Sequence, residues 1–503
     1  MSAIKNSIIT LSLVFLIGSN YDCFSQQVKW SAPLSDDNKH PYLKILGEAP
    51  GGFYMVRSNL SFGSTRVRSG FKTRKYILQK FSSAMSLQTE KELLAPAEAG
   101  VIADLEVIDE KVLVVFYTFD KQDRTYSFFA QYLDAALNYS GPAALIDKFA
   151  SENIDDDNLP GVFYSRNRKM LAFTYRQIAK DKKSQSFTAV LLDSDLNNIY
   201  KKEIRFQIPA RLYAPLTYVL SNEGNFYVLG IRFLTDKKVK APGESFYTLH
   251  GYNRISGLYC DKEIKIEDKF LTDASVAADA YNKKIVVSGY YSDKTTYSTA
   301  GIFYYSMDED SFSDSKVFTS AFPTSYLQKF IGERKENKSR ELINYSIDRL
   351  ILRNDGGVGL AAESFYQTTR TYWDYYTQTM ISHYYYNFGS IMVISVHPDG
   401  KLHWTNLVSK EQSSVDDGGF YSSYASVNSG GILYFIYNKY VSERSSVLIT
   451  SIDGQGNQKT DVLFNEVERV SVLATAAKQI DEETLIMPAY RENKFYLITV
   501  SFD

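Results

Sequence analysis

The residues of this sequence whose types and spacing could do chemistry are few. Glu363 ends an apolar stretch, residues 358–362, and its carboxylate could serve glycoside hydrolysis, which needs two carboxylates facing each other across a sugar. The alternative is that Glu363 pairs with Arg370 or Arg353 within a hairpin. The sequence contains no Gly-x-Ser-x-Gly elbow and no phosphate-cradling loop. Glu363 is therefore the one catalytic candidate, and no motif supports an enzyme.

Two kinds of residue group have the composition of a cation site. His397 and His403 flank a turn that contains Asp399, and two imidazoles with a carboxylate could hold a metal ion. The alternative is that Pro398 and the tight turn account for these residues without a metal. Calcium takes several oxygen ligands from a sharply turning loop. Acidic runs occur at residues 155–157, 308–310 and 416–417, but none has the calcium-loop spacing, and most such runs are solvated turns. We therefore predict no cofactor, with calcium as the cation left open.

The most unusual local composition is a tyrosine-rich stretch at residues 366–386. Its rings could bind a sugar or a protein surface, because each offers an apolar face and a polar tip. The alternative is that the rings pair across the strands of a long hairpin and only stiffen it. The residues predicted to bind a ligand or partner are Tyr366, Arg370, Tyr372, Trp373, Tyr375, Tyr376, Tyr384, Tyr385 and Tyr386.

Basic residues cluster near the start of the chain, and the overall charge is close to neutral. The cluster consists of Arg57, Arg66, Arg68, Lys72, Arg74 and Lys75. It could meet an anionic lipopolysaccharide or an acidic polymer, or it could simply solvate a protruding hairpin. The formal net charge of the chain is −2, which argues against a dedicated nucleic-acid-binding protein.

The elements that must position these residues repeat along the chain. An apolar strand opened by a turn recurs at intervals of roughly 50–75 residues. Each copy is followed by a polar hairpin arm, a second apolar strand, a turn and a shorter outer strand. Asp, Asn and Gly stand at the turns because they tolerate the backbone conformations that close a tight hairpin. The recurring strands begin near Phe53, Val112, Met170, Phe226, Ile285, Val358, Ile432 and Leu485.

Such repeats predict an all-β fold, a β-propeller, because units of three or four antiparallel strands bury their faces by stacking in a ring. The 39 Tyr and 31 Phe suit pleated, half-buried surfaces. We predict eight blades, with seven blades or a pair of β-sandwiches as alternatives. The last repeat lacks an outer strand, which residues 28–31 could supply.

One charged, strand-poor segment, residues 321–346, interrupts the pattern between the fifth and sixth repeats. Its apolar residues Tyr326, Phe330 and Ile331 suggest a short helix within an insertion that projects from one face of the ring. Loops on a rigid scaffold often carry function, and the alternative is a solvated connector.

Residues 1–25 have the features of a signal peptide. Lys5 precedes an apolar run at residues 8–18, and small residues at Cys23 and Ser25 offer a cleavage site before Gln26. The alternatives are a buried N-terminal helix and a lipid anchor on Cys23. We predict an exported protein, periplasmic, outer-membrane-associated or extracellular, with a single propeller domain over residues 26–503. After cleavage only Cys260 remains, so the core alone must hold the fold.

Residues 335–412 resemble a family of secreted, propeller-like proteins of Bacteroidota-type bacteria. The resemblance is carried by the charged segment just upstream, by residues 350–357, 363–366, 398–404 and 409–412, and by the tyrosine-rich stretch. The sequence departs from the family at residues 383–388 and at Glu411, where a basic residue is usual. The resemblance implies a propeller fold and export, and it carries over no catalytic residue.

These patterns favour a non-catalytic binding or scaffold protein of the cell envelope that recognises a protein partner or a glycan through aromatic hairpin arms. The alternative is a polysaccharide-processing, glycosidase-like enzyme on the same fold, since propellers host both roles. We expect no nucleic-acid partner and no membrane span, and either a monomer or a component of a larger assembly. An enzyme should have a deep central pocket lined by several carboxylates or histidines. A scaffold protein should instead have a flat aromatic or charged face.

Overall fold

A computed structural model of the chain describes residues 26–60, 75–98, 100–150, 160–236, 242–296, 298–314, 316–331, 341–376, 378–442 and 445–502. The predicted signal peptide, four of the basic residues (Arg66, Arg68, Lys72 and Arg74) and the acidic run at 155–157 lie outside these ranges. Within them the regular structure is nearly all β-strand, as predicted, with one α-helix. That helix is neither long nor apolar enough to cross a membrane.

The described strands form eight antiparallel sheets of four or five strands and one two-stranded ribbon. The first strand, β1 (Gln27–Trp30), belongs to the last sheet. Sheets one to four follow in chain order as β2 (Tyr42–Ala49), β3 (Gly52–Ser58), β4 (Tyr76–Ser82), β5 (Leu87–Leu93); β6 (Val101–Ile108), β7 (Lys111–Asp120), β8 (Thr125–Leu133), β9 (Tyr139–Ala150); β10 (Gly161–Tyr164), β11 (Met170–Ile178), β12 (Gln185–Asp193), β13 (Asn198–Phe206); and β14 (Tyr213–Leu220), β15 (Phe226–Phe233), β16 (Ser245–Tyr252), β17 (Tyr259–Ile264).

Sheets five to eight continue the same order, and β20 with β23 makes the ribbon. Their strands are β18 (Phe270–Asp279), β19 (Lys284–Ser292), β20 (Ser298–Thr299), β21 (Gly301–Asp308), β22 (Phe318–Ala321), β23 (Leu342–Ile343); β24 (Tyr345–Leu352), β25 (Val358–Asp374), β26 (Thr379–Val396), β27 (Leu402–Val408), β28 (Gln412–Val415); β29 (Ala425–Ser429), β30 (Ile432–Asn438), β31 (Val447–Ile452), β32 (Gln458–Phe464); and β33 (Val470–Val472), β34 (Lys478–Gln479), β35 (Thr484–Arg491), β36 (Lys494–Ser501). The predicted recurring strands are the second strands of sheets one to seven and, in sheet eight, β35, which pairs with both β33 and β34.

Aspartates close the turns between the third and fourth strands of several sheets. Asp134, Asp193 and Asp453 each accept two backbone N–H groups at 2.8–3.0 Å. Gly456, in the last of these turns, has a φ of 84°, a conformation that glycine adopts without steric cost. The same short sequence pattern therefore folds into the same turn in three sheets.

Each sheet buries its faces against its neighbours in the chain, which is the packing of a β-propeller. Eight clusters of buried apolar side chains fill the spaces between consecutive sheets. One of these clusters joins sheet one to sheet eight. It includes Leu43, Ile45, Phe53, Met55 and Phe81 from the first sheet, and Ile486, Phe495 and Leu497 from the last.

The outer strand of sheet eight comes from the opposite end of the chain. β1 pairs antiparallel with β36, from Gln27 opposite Ser501 to Trp30 opposite Ile498. The Trp30 ring packs 5.3 Å from the ring of Phe464 and 5.4 Å from that of Tyr496. The predicted use of residues 28–31 as the missing strand is therefore confirmed.

The segment between sheets five and six contains the predicted short helix, α1 (Thr324–Ile331). Tyr326 is 2% exposed, and its hydroxyl donates to the Asn406 carbonyl at 3.0 Å. The helix thus lies against sheet six, held by an edge-on stack of Phe322, Tyr326 and Phe330. The insertion at 321–346 is predicted to project from the ring, and its residues 332–340 lie outside the described ranges.

Replacing Trp30 by alanine tests the closing strand. We expect Trp30→Ala to lower the free energy of unfolding by about 2–3 kcal/mol, because the half-buried indole leaves a gap against two aromatic rings. Urea denaturation measures the loss. Lys29→Ala, an exposed neighbour on the same strand, is the control, and an equal loss in both variants would contradict the assigned role of the indole.

Candidate functional site

The tyrosine-rich stretch forms a long hairpin that extends beyond sheet six. β25 and β26 stay paired without interruption from Phe365 opposite Phe388 to Asp374 opposite Thr379. We call residues 365–388 the arm. β28 pairs with the arm near its base, with Val415 opposite Tyr385, and so adds a third strand there.

The arm has two different faces, because directly paired residues of an antiparallel hairpin point to the same side and successive residues alternate. The register places Trp373, Tyr384 and Tyr386 on one face, together with Phe365, Phe388 and Met380. It places Tyr366, Arg370, Tyr372 and Tyr385 on the other, together with His383. Tyr375 and Tyr376 lie at the tip. The predicted binding residues are thus adjacent in the arm but divided between its faces.

The face that contains Arg370 is braced by contacts within the arm. The Arg370 guanidinium lies 4.9 Å from the centre of the Tyr385 ring, and the Tyr372 ring stacks on His383 at 5.5 Å. His383 Nδ1 in turn lies 2.5 Å from Asp416 Oδ2. The Tyr384 N–H and His383 together hold the pKa of Asp416 below its usual value. On this face the rings do stiffen the hairpin.

The tip and the opposite face present rings to solvent. The exposed fractions are 47% for Trp373, 84% for Tyr375 and 99% for Tyr376. Tyr384, on the same face as Trp373, is also exposed, and so are Tyr366 and Tyr372 on the Arg370 face. These rings form the aromatic surface that is available to a ligand or partner.

Glu363, the catalytic candidate, is buried at the base of the arm and paired with a lysine. It is 5% exposed, its Oε1 lies 2.5 Å from Lys410 Nζ, and Ser423 Oγ donates to its Oε2 at 2.6 Å. The alternative that Glu363 pairs with Arg370 or Arg353 is therefore wrong, because its ion-pair partner is Lys410. Burial lowers the pKa of the Lys410 ammonium, and the Glu363 carboxylate opposes that shift.

Buried amides connect this ion pair to the next two sheets. Lys410 Nζ donates to Gln412 Oε1 at 2.9 Å, and Gln412 Nε2 donates to the Asn438 carbonyl at 2.6 Å. The Asn438 side chain then exchanges hydrogen bonds with the backbone of Val472, at 2.8 and 3.0 Å. The base of the arm is thereby tied to sheets seven and eight.

Asp348 is a polar residue near this base that the sequence analysis missed. It is the extra residue of a β-bulge between β24 and β25, and it faces a cavity. Its Oδ2 accepts the Glu363 N–H and the Tyr424 hydroxyl, both at 3.0 Å. Neighbouring protein groups reduce the hydration of Asp348, which stays exposed to the cavity, and raise its pKa to about 6; the charge of Glu363 adds to this. Its position depends on a bulge, which no local pattern marks.

The candidate cation sites are occupied by protein groups. His397 and His403 do face each other, with ring centres 4.4 Å apart, but Arg353 contacts His403 Nδ1 at 2.9 Å. Burial and Arg353 lower the pKa of His403. In the acidic runs that the structure describes, Asp308, Asp416 and Asp417 accept backbone N–H groups. Across the described ranges, no three His, Cys, Asp or Glu side chains are grouped so as to hold a metal ion.

The predicted basic patch loses one member in the structure. Arg57 is buried, with its guanidinium 3.4 Å from Asp36 Oδ1 and 4.5 Å from the centre of the Phe495 ring. It braces sheet one against sheet eight, so its prediction as a surface residue is wrong. Lys75 is exposed, as expected.

Comparisons with known proteins show a likeness of fold. No protein-family model matches the chain, and a search of curated proteins finds no match. The chain is similar to the β-propeller domain of the Trilobed protease from Pyrococcus furiosus, with 9% identity, a TM-score of 0.36 and coverage of 85% of this chain and 97% of that one. It is also similar to an α-L-arabinanase from Penicillium chrysogenum, with 11% identity, a TM-score of 0.31 and coverage of 67% and 92%. No activity is carried over from either.

The Glu363–Lys410 pair can be tested by removing one partner or both. We expect Lys410→Met to lower the free energy of unfolding by about 3–5 kcal/mol, because it leaves a buried carboxylate without a cation. The double variant E363L/K410M should recover most of that loss, because both charges are then gone. Urea denaturation measures each variant.

The matched control is Lys401→Met, which breaks an exposed pair with Asp399 and should change stability little. Equal losses in K410M and in the double variant would contradict the pairing of Glu363 with Lys410.

Proposed function

We propose that this protein is an exported, non-catalytic binding or scaffold protein of the cell envelope that recognises a protein partner or a glycan through the arm. The observation that carries the proposal is the exposure of Trp373, Tyr375 and Tyr376 beyond the edge of sheet six. Tyrosine and tryptophan supply large, rigid contact surfaces at low cost in conformational entropy. Among the described residues no ring packs on Trp373, Tyr375 or Tyr376, whereas Tyr372 stacks on His383.

In this proposal the eight sheets are the eight blades of a closed ring that serves as a rigid support. The cluster between sheets one and eight and the strand contributed by β1 favour closure. The buried amides that run from Lys410 through Gln412 to Asn438 anchor the root of the arm in that support. A partner held by the tip would therefore be held at a fixed position relative to the ring.

The surroundings of Glu363 favour binding over glycoside hydrolysis. A glycosidase places two carboxyl groups on either side of the scissile bond, about 5–9.5 Å apart. Glu363 is enclosed by Lys410 and Ser423, while the nearby Asp348 accepts the backbone N–H of Glu363 itself. A sugar cannot lie between these two carboxylates without displacing protein.

The test is cross-linking capture from envelopes of the source cells, with residues 26–503 as bait and a glycan array alongside. We expect Tyr375→Ser with Tyr376→Ser to reduce capture of a specific partner or glycan at least about tenfold, since exposed aromatic anchors dominate such contacts. Tyr281→Ser is the matched control, because Tyr281 is 80% exposed on a turn of sheet five.

Full capture by the double variant, with its circular dichroism unchanged, would contradict the role of the arm. Release of shorter products from a captured polysaccharide would instead establish the enzyme, and Glu363→Gln would then be the first variant to assay.

A further inference from the structure

Cavities lie one after another along β24, the first strand of sheet six, and the first strand of each sheet is called its inner strand. The first two have volumes of about 610 and 540 Å³ and share Arg349, Thr475 and Lys478. A third, of about 460 Å³, shares Ile351 and Asn428 with the second. Inner strands of other sheets complete the walls, including β2, β10 and β14. We call this row of cavities the passage. Its volumes fall in the range of small-molecule sites.

Cations from three sheets meet in the two larger cavities. Arg349 and Lys478 line both, and Lys44 lines the first. Lys478 Nζ lies 3.5 Å from Glu106 Oε1 and donates to the Leu46 carbonyl. The side chains of Arg349 and Lys44 make no hydrogen bond and no ion pair with the residues that the structure describes, although the charge of Arg349 acts on Asp348 and that of Lys44 acts on Asp104. Their N–H groups are therefore available to a ligand.

The carboxylates in the same walls are already engaged. Asp348 accepts two hydrogen bonds, from the Glu363 N–H and the Tyr424 hydroxyl. Asp417 Oδ1 accepts from Ser414 Oγ at 2.6 Å and from the Gly419 N–H at 2.8 Å. In the walls of the two larger cavities three cations thus face two carboxylates, each with one oxygen already engaged, and a concave wall strengthens the attraction for an anion.

The crowding of positive charge is also visible at Lys478. Burial lowers the pKa of the Lys478 ammonium, and the Glu106 carboxylate opposes this shift. The positive charges of Arg168 and Lys44 lower the pKa of Lys478 further. An anion placed between Arg349, Lys44 and Lys478 would relieve this repulsion.

Aromatic rings stand beside these cations. Tyr42, Phe388 and Phe420 line the larger cavity, and such rings pack against the apolar face of a sugar. A sugar with a carboxylate on its pyranose ring matches both the cations and the aromatic rings of this cavity.

We propose that the passage binds a hexuronate sugar, whose carboxylate contacts Arg349, Lys44 and Lys478 and whose ring packs against Tyr42, Phe388 and Phe420. This site is distinct from the exposed tip of the arm, so substitutions at the tip leave it intact. It goes beyond the binding role assigned to the arm, because it names the ligand class of a different cavity.

The experiment is isothermal titration calorimetry of residues 26–503 with a galacturonic acid trimer and with its methyl ester. The ester keeps the rings and removes the charge. We expect the trimer to bind at least about tenfold tighter than the ester, since a charge-assisted contact of about 1.5–3 kcal/mol corresponds to that factor or more. Equal binding of the two, or no binding of the trimer, would overturn the proposal. Citrate that binds as tightly as the trimer would overturn the sugar assignment.

Variants locate the site. Arg349→Gln and Lys44→Gln, each checked for folding by circular dichroism, should weaken trimer binding about tenfold or more. Asp348→Asn should tighten it, because it removes a negative charge and keeps a hydrogen-bond acceptor. Arg211→Gln is the control, since Arg211 is an exposed surface residue paired with Asp236. Unchanged binding in both the Arg349 and Lys44 variants would place the ligand elsewhere.

Discussion

Face-to-face packing of successive sheets is the interaction on which the rest of this structure depends. A four-stranded antiparallel sheet cannot bury both of its faces by itself, so each sheet needs a neighbour on either side. The first and last sheets meet this need through each other, with β1 completing sheet eight. Cys260 is a free, buried thiol, so no disulfide in the described ranges adds to this packing. The strand order and the position of the arm follow from the requirement that every sheet be covered.

The inner strands satisfy a second requirement, because they must curve around the middle of the molecule. Sheets one, two, four, five and six each have a register shift within the pairing of their first two strands. A bulge adds an unpaired residue and bends the strand. In sheet six this residue is Asp348, and the next is Arg349. In sheet five the extra residue is Thr272, and the next residue, Asp273, accepts the Ile347 N–H of β24 at 2.7 Å. The irregularity that curves the strands thus also supplies polar groups to the passage.

The parts of the fold that could be predicted from sequence are those encoded locally. The aspartate turns and the short helix depend on patterns within a few residues, and the eight recurring strands and the closing strand at Trp30 follow from the repeat of those patterns along the chain. The pairing of Glu363 with Lys410 could not be predicted in this way, because it depends on how the end of sheet six folds back. The cations of the passage come from sheets one, six and eight, and they converge only when the sheets are packed. Which residues of the arm share a face could be assigned only from the strand register, because a shift of one residue would exchange the two faces.

The arm and the passage meet at the loop between β28 and β29. Asp416 contacts His383 of the arm, while the adjacent Asp417 lines the larger cavity. Phe388 belongs to both, because its ring packs 4.7 Å from Phe365 in the arm and its side chain also faces the cavity. Ser423, further along the same loop, donates to Glu363. The two proposed sites therefore share one wall, and that wall is fixed by the buried ion pair at the base of the arm. A change of charge at that pair would alter the support of both sites.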